Sequence, residues 1–260
     1  MTILDQLAEY AHERVAAAKK KIPFDVIKQQ ALLMPKDDFA FENALKKQGI
    51  SFICECKKAS PSKGLIDPVF PYLDIAKTYE SAGADCISIL TEPKWFLGND
   101  KHLREIANTV SIPCLRKDFT IDQYMIYEAK ILRASAVLLI CSILTVAELQ
   151  EYICLCDELG LSALVEVHDE KEVNMAVKAG ARIIGVNNRN LQNFSVDTEN
   201  SYKLRELIPH DILFVSESGI KTSADIEKLR EIGADAVLVG EILMKSPDKK
   251  AKLYELRGTI

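Results

Sequence analysis

The chain has 260 residues, 48% of them hydrophobic and 27% charged, with a formal net charge of −5. That length suits one large domain or two small ones, and the composition is that of an ordinary globular protein. The acidic balance and the lack of a long basic run argue against nucleic acid as a partner; no apolar stretch approaches the ~20 residues of a membrane span, and Met1-Thr2-Ile3-Leu4-Asp5 lacks the basic-then-apolar order of a signal peptide.

The first predicted element is a helix from Thr2. Thr2 and Asp5 have the spacing of a capping box, and Leu4, Leu7, Ala8, Ala11, Val15 and Ala18 fall on one face. Lys19-Lys20-Lys21 reads as its solvated end, and Ile22-Pro23-Phe24 terminates it. On composition alone this helix is either a lid or mere packing. Residues 1–48 read as an N-terminal helical extension and 49–260 as the rest of one domain.

Eight short apolar runs follow, at 51–54, 86–90, 112–116, 136–140, 163–167, 183–186, 213–216 and 236–239. They lack alternation, as strands buried on both faces do. Helical patterns lie between them, around Leu73 to Tyr79 and over 121–132, 147–159, 171–179, 201–207 and 223–232. Gly83, Gly180 and Gly233 each stand between a helix and a strand, where a left-handed cap favours glycine. Most strands are spaced by roughly one β–loop–α–loop unit. The alternation predicts an α/β fold, a closed (β/α)8 barrel of parallel strands. The alternative, an open doubly wound sheet, would want a glycine-rich turn after the first strand, where Glu55-Cys56-Lys57-Lys58-Ala59-Ser60-Pro61-Ser62 stands instead.

Polar residues follow the strands: Glu55 and Lys57, Glu92, Lys117, Glu166, Asn187 and Arg189, Glu217 and Ser218, and Gly240. The carboxyl ends of barrel strands are where such a fold builds an active site. Lys117 is expected either to have a lowered pKa, as an acid or Schiff-base amine, or to stay a cation that binds anions; the plain alternative is a rim lysine paired with Asp118. Glu166, inside an apolar strand, is expected to have a raised pKa suited to acid–base work, or else to form a structural ion pair. Glu55 and Lys57, two residues apart, point to one side and can pair. Ser218 and Gly219 with Gly240 and Glu241 stand after the last two strands, where barrels often hold phosphate. Arg189 beside Asn187 suits a carboxylate. The seven cysteines read as small core residues of a reducing cytoplasm, and the four scattered histidines suggest no metal site.

Seven blocks in barrel order resemble the indole-3-glycerol phosphate synthase family of tryptophan biosynthesis, from Ile3 to about Met244. They are Glu55 to Gly64 with its E-x-K-x-x-S-P-S pattern, Leu90-Thr91-Glu92 with Phe96 and Gly98, Leu115 to Phe119, and Val165 to His168. Gly185 to Leu191, Ser216 to Ile220, and Val239-Gly240-Glu241 with Leu243-Met244 complete the set. The resemblance implies conversion of 1-(2-carboxyphenylamino)-1-deoxyribulose 5-phosphate to indole-3-glycerol phosphate, carbon dioxide and water. It implies Lys117 as the acid at the carbonyl oxygen, Glu166 in dehydration, and Lys57 held by Glu55 as a second lysine, with the division of proton steps between the lysines left open. Ser60, Glu92, Phe96, Phe119, Asn187, Arg189 and Glu217 become substrate contacts. Ser218, Gly219, Gly240 and Glu241 become the phosphate cradle, with the Glu241 side chain turned away. Cys56 is expected to face out of the barrel, and the N-terminal helix to cover its C-terminal face as a lid. No cofactor is implied, because the cationic intermediate is itself the electron sink. The implied setting is a cytoplasmic monomer, alone or beside other tryptophan-pathway enzymes. The sister isomerase of phosphoribosylanthranilate would lack the long helix and the E-x-K block, and a Schiff-base aldolase would use Lys117 covalently.

Overall fold

The computed structural model describes residues 2–190 and 194–258, so Leu191 of the fifth block lies outside the described residues. Eight strands form the barrel: β1 (Ser51–Cys56), β2 (Cys86–Leu90), β3 (Cys114–Lys117), β4 (Ala136–Ile140), β5 (Ser162–Val167), β6 (Ile183–Asn187), β7 (Leu213–Glu217) and β8 (Ala236–Val239). All pair in parallel, and β1 meets both β2 and β8, which closes the sheet. Several strands run further than their apolar runs do, because the ladder continues to the rim. Leu90 aligns with Lys117, Ile140 with Glu166, and Asn187 with Glu217. Glu55, Lys117, Asn187 and Glu217 are therefore strand residues rather than loop residues, held by the sheet's hydrogen bonds.

Helices α4 (Tyr72–Ser81), α5 (Asp100–Ala107), α6 (Gln123–Ile131), α7 (Val146–Leu159), α8 (Glu170–Lys178), α9 (Glu199–Arg205), α10 (Ser223–Glu231), α11 (Glu241–Lys245) and α12 (Lys249–Arg257) surround or follow the strands. Side chains set their starts: Asp122 caps α6, Thr145 and Glu148 form a capping box on α7, and Thr222 and Asp225 another on α10. Gly83, Gly180 and Gly233 sit at φ 84°, 85° and 74° in the repeated helix-to-strand junctions, as expected. Cys56 does face the helices and is fully buried there. Cys154 departs from the expectation of seven core cysteines, since its place on α7 is exposed.

Before the barrel come α1 (Ile3–Lys21), α2 (Phe24–Leu32) and α3 (Ala40–Leu45). The sequence reading names only the first. Helix α1 buries Leu7, Ala11 and Val15 and carries the expected capping box at Thr2 and Asp5. Arg14 donates two hydrogen bonds to Asp118, at 3.0 and 2.6 Å, and Lys19 one to Asp122 at 2.6 Å. Both aspartates lie just past the end of β3, so α1 rests across the C-terminal face. Helix α3 is at the opposite end, where the Glu42 N–H donates to Ser162 Oγ at the start of β5. There Glu42 also accepts from Lys46 at 2.7 Å and Arg182 at 2.8 Å, and Phe41 and Leu45 are fully buried.

Candidate active site

A cavity of about 380 Å³ opens at the C-terminal face, with Ile3 and Leu7 of α1 forming part of its wall. At its floor, Lys117 Nζ lies 3.0 Å from Glu166 Oε2 and 3.4 Å from Glu217 Oε2. Burial works against the ammonium, but Glu166, Glu217 and Glu55 outweigh it and hold the Lys117 pKa above its ordinary value. The expectation of a lowered lysine pKa is thus overturned, while a lasting cation fits. Burial also tends to raise Glu166, yet Lys117 and then His168 outweigh it and hold this carboxyl well below the usual range. That reverses the rise expected from burial alone. Glu217 is the carboxyl that rises. Burial lifts it, Lys117 pulls back, and the charges of Glu166 and Glu55 bring it to about 7. Its Oε1 is buried with no hydrogen-bond partner among the described residues. The floor therefore holds a cation, a firmly ionised carboxylate, and a carboxyl that shares its proton near neutrality.

Two glycines make room for this cluster. A Cβ on Gly185 would stand 2.3 Å from Glu217 Oε1, and one on Gly240 2.3 Å from Glu55 Oε1. Gly240 thus seats Glu55, which the sequence reading did not foresee. Glu55 in turn accepts from Lys57 Nζ at 2.5 Å, the pair expected from their spacing.

Most other expected residues also line the cavity. Phe96 and Phe119 stack at a tilt, their centroids 6.1 Å apart, and Ser60, Asn187 and Arg189 stand around the same space. Asn187 Oδ1 accepts the backbone N–H of Arg189 at 3.0 Å, which sets the direction of that loop. Glu92 is the exception. It is fully buried beneath the loop after β2, outside the cavity wall, and accepts the N–H groups of Lys94, Trp95 and Phe96 at 2.8–2.9 Å. Its carboxylate shapes the loop that presents Phe96.

Ser218, Gly219, Gly240 and Glu241 line one side of the cavity together, with Ser218 and Gly219 at φ 67° and 88° in a tight turn. Glu241 departs from expectation. Its side chain does not turn away: Oε1 is 2.7 Å from Lys245 and 3.7 Å from Lys63, and Oε2 is 3.5 Å from Arg189. Three cations converge on this carboxylate and draw it in. The sequence reading missed Lys63, Lys245 and Arg14 as neighbours of the site. Lys63 was within reach, since it ends the Ser-Pro-Ser block. It also missed Tyr10, whose ring meets Trp95 edge-on at 5.6 Å and ties α1 to the loop after β2.

A parallel barrel with ionisable groups buried at the carboxyl ends of its strands defines the class: this is a (β/α)8-barrel enzyme. A family model for indole-3-glycerol phosphate synthase matches residues 4–256, and the chain belongs to that family. It is 58% identical to the indole-3-glycerol phosphate synthase of Ruminiclostridium cellulolyticum over 258 residues, 99% of each chain. It is 53% identical to that of Endomicrobium trichonymphae, over 98% of this chain and 99% of the relative. Among solved structures, 3-hexulose-6-phosphate synthase from Salmonella typhimurium aligns with a TM-score of 0.67 at 14% identity, covering 81% of this chain and 98% of the other. That likeness speaks for the barrel fold alone.

Proposed function

We propose that this chain closes the indole ring of 1-(2-carboxyphenylamino)-1-deoxyribulose 5-phosphate, releasing carbon dioxide and water to give indole-3-glycerol phosphate. The observation that carries the reading is the Lys117 ammonium set between Glu166 and Glu217 at the cavity floor. Ring closure joins the carboxylate-bearing ring carbon to the ketone carbon. The ketone oxygen takes a proton from Lys117 and becomes a hydroxyl. The intermediate carries a cation conjugated with nitrogen, which the floor carboxylates stabilise. Loss of carbon dioxide leaves its electron pair in the ring system. The hydroxyl then departs as water on a proton from a lysine, and the ionised Glu166 takes the proton lost next to nitrogen, which completes the indole.

Lys57, held by Glu55, serves as the second acid or as a substrate contact. Asn187, Arg189 and Ser60 face the substrate's carboxylate and hydroxyls, and Phe96 and Phe119 flank its aromatic end. Glu92 acts through the loop it holds. Ser218, Gly219, Gly240 and Glu241 border the phosphate, and Lys63 and Lys245 supply positive charge there. Phosphate then competes with the Glu241 carboxylate for these cations. Remote binding of this group orients the reacting end. Residues 1–48 belong with the barrel as one domain, with α1 as a lid that excludes water.

No helix of the described residues is long and apolar enough to cross a membrane. Buried free thiols support a reducing cytoplasmic setting. We take the working form to be a monomer, alone or beside other tryptophan-pathway enzymes. The test is to mix purified protein with the carboxyphenylamino ribulose phosphate and follow indole fluorescence. A rise matched by an equal release of carbon dioxide is expected, and no rise at any enzyme concentration sinks the proposal.

A further inference from the structure

His168 stands two residues past Glu166 at the end of β5, and its ring is enclosed between two carboxylates. Nδ1 lies 3.0 Å from Glu172 Oε2, and Nε2 lies 3.3 Å from Glu166 Oε1. The first contact is a hydrogen bond; the second is a charge contact, off the hydrogen-bond line. Glu172, on α8, also accepts the His168 backbone N–H at 2.8 Å, and Asn200 Nδ2 donates to the His168 carbonyl at 3.1 Å. The residue is thus fixed at both backbone groups and at its ring. An ionised carboxylate only accepts, and a neutral imidazole has only one N–H. A ring with a carboxylate at each nitrogen suits both of them only as the imidazolium.

The neighbouring groups do not alter this balance. Lys117 is the competing cation, 3.0 Å from the other oxygen of Glu166, and Glu217 lies beyond it. Asp169, which caps α8, adds negative charge, and Cys141 Sγ donates to the Glu172 carbonyl at 3.7 Å. Burial works against a charged ring, but Glu166 and Glu172 outweigh it and raise the His168 pKa to about 10.

We propose that His168 is a positioning residue: held as an imidazolium by Glu172, it pins the Glu166 carboxylate and keeps it ionised opposite Lys117. This rests on the role given to Glu166 above and extends it to two residues, His168 and Glu172, that stand behind the cavity wall. Lys117 and His168 take one oxygen each, so Glu166 is steered from both sides, and the His168 flank stays when Lys117 trades partners with a ligand.

The test combines imidazole nitrogen NMR of the parent and Glu172→Gln, over about pH 6 to 9, with kinetics of both and of His168→Gln. With four histidines in the chain, assignment by substitution is direct. The His168 ring should read as imidazolium across that range in the parent. In Glu172→Gln its midpoint should fall by about one to two units, into the window. The kcat of that variant should then decline with the same midpoint, a limb the parent lacks and a purely structural role would not create. His168→Gln should lower kcat on the order of tenfold with KM little changed. Should His168→Gln fail to fold, the Glu172→Gln limb decides. A neutral ring in an active parent would sink the role of His168 alone. No turnover in a parent that keeps the imidazolium would sink the reaction, and the positioning role with it.

Discussion

Arg116 and Lys117 are neighbouring cations on one strand, and they have opposite surroundings. Arg116 points out of the barrel into a wall of helices. It donates to Thr91 Oγ1 at 3.2 Å, the Met125 carbonyl at 2.9 Å, Asp100 at 2.8 Å and Glu128 at 2.7 Å. Burial opposes its charge, but Asp100 and Glu128 outweigh that and raise its pKa further. Lys117 points inward, is flanked by the side-chain carboxylates of Glu166 and Glu217, and faces the cavity. A guanidinium with fixed partners holds three elements together. An ammonium among carboxyls with unused acceptor capacity can trade partners and protons with a ligand.

Exchanging the two roles by mutation should break this contrast cleanly. Lys117→Ala should cost on the order of 10²–10⁴ in kcat, with thermal unfolding little changed. A kcat near that of the parent would show that the inward cation is dispensable. Glu166→Gln keeps shape and loses the charge, so kcat should fall on the order of a hundredfold at steady KM; a raised KM at constant kcat would make it a binding group. Arg116→Met should do the reverse. It should lose roughly 3 kcal/mol of stability in denaturant titration, through the carboxylates left behind, while the folded fraction stays active.

Glu217 sharpens the comparison by pH. Its folded-state pKa of about 7 exceeds the ordinary 4.5, so the folded protein holds that proton more tightly than the unfolded chain. Stability contributed by the protonated group is present below about 4.5 and is lost as pH rises through about 7. Glu217→Gln should therefore show a smaller fall in Tm between acid and neutral pH than the parent. An identical fall in both would place the titration elsewhere. The smallest effect is expected from Arg14→Gln, since Asp118 keeps bonds from Thr91 and from the Phe119 N–H at 2.8 Å. It should lower stability by about 1–2 kcal/mol and raise KM modestly, by loosening α1; unchanged kinetics would mean that α1 is packing and not a lid.

Much of this was legible in the chain because barrel strands announce themselves twice, by an apolar run and by the polar residue at its end. Strands β2, β4 and β8 match their predicted bounds. β3 does not, because Ile112 and Pro113 are apolar but precede the ladder, while Lys117 is polar and belongs to it. The pairing of Glu55 with Lys57 was readable from spacing, whereas the ring around Lys117 was not. Glu166 and Glu217 reach it from strands 49 and 100 residues later, and only barrel closure sets those distances. For the same reason the pKa expectations failed. Burial of one residue can be guessed from its neighbours in sequence, but the charge it meets across the barrel cannot. Helices α2 and α3 escaped notice because both are short, with nine and six residues.

Gly185 and Gly240 bear on how this enzyme could be diversified. Each lacks a side chain where a floor carboxylate stands, and a Cβ there would meet a carboxylate oxygen at 2.3 Å, too close to fit. Even alanine at either position would push Glu217 or Glu55 toward the cavity centre. A library that randomises the rim while sparing these two positions explores new substrates around an intact floor. One that includes them moves the proton machinery itself, and its inactive members will say nothing about substrate choice.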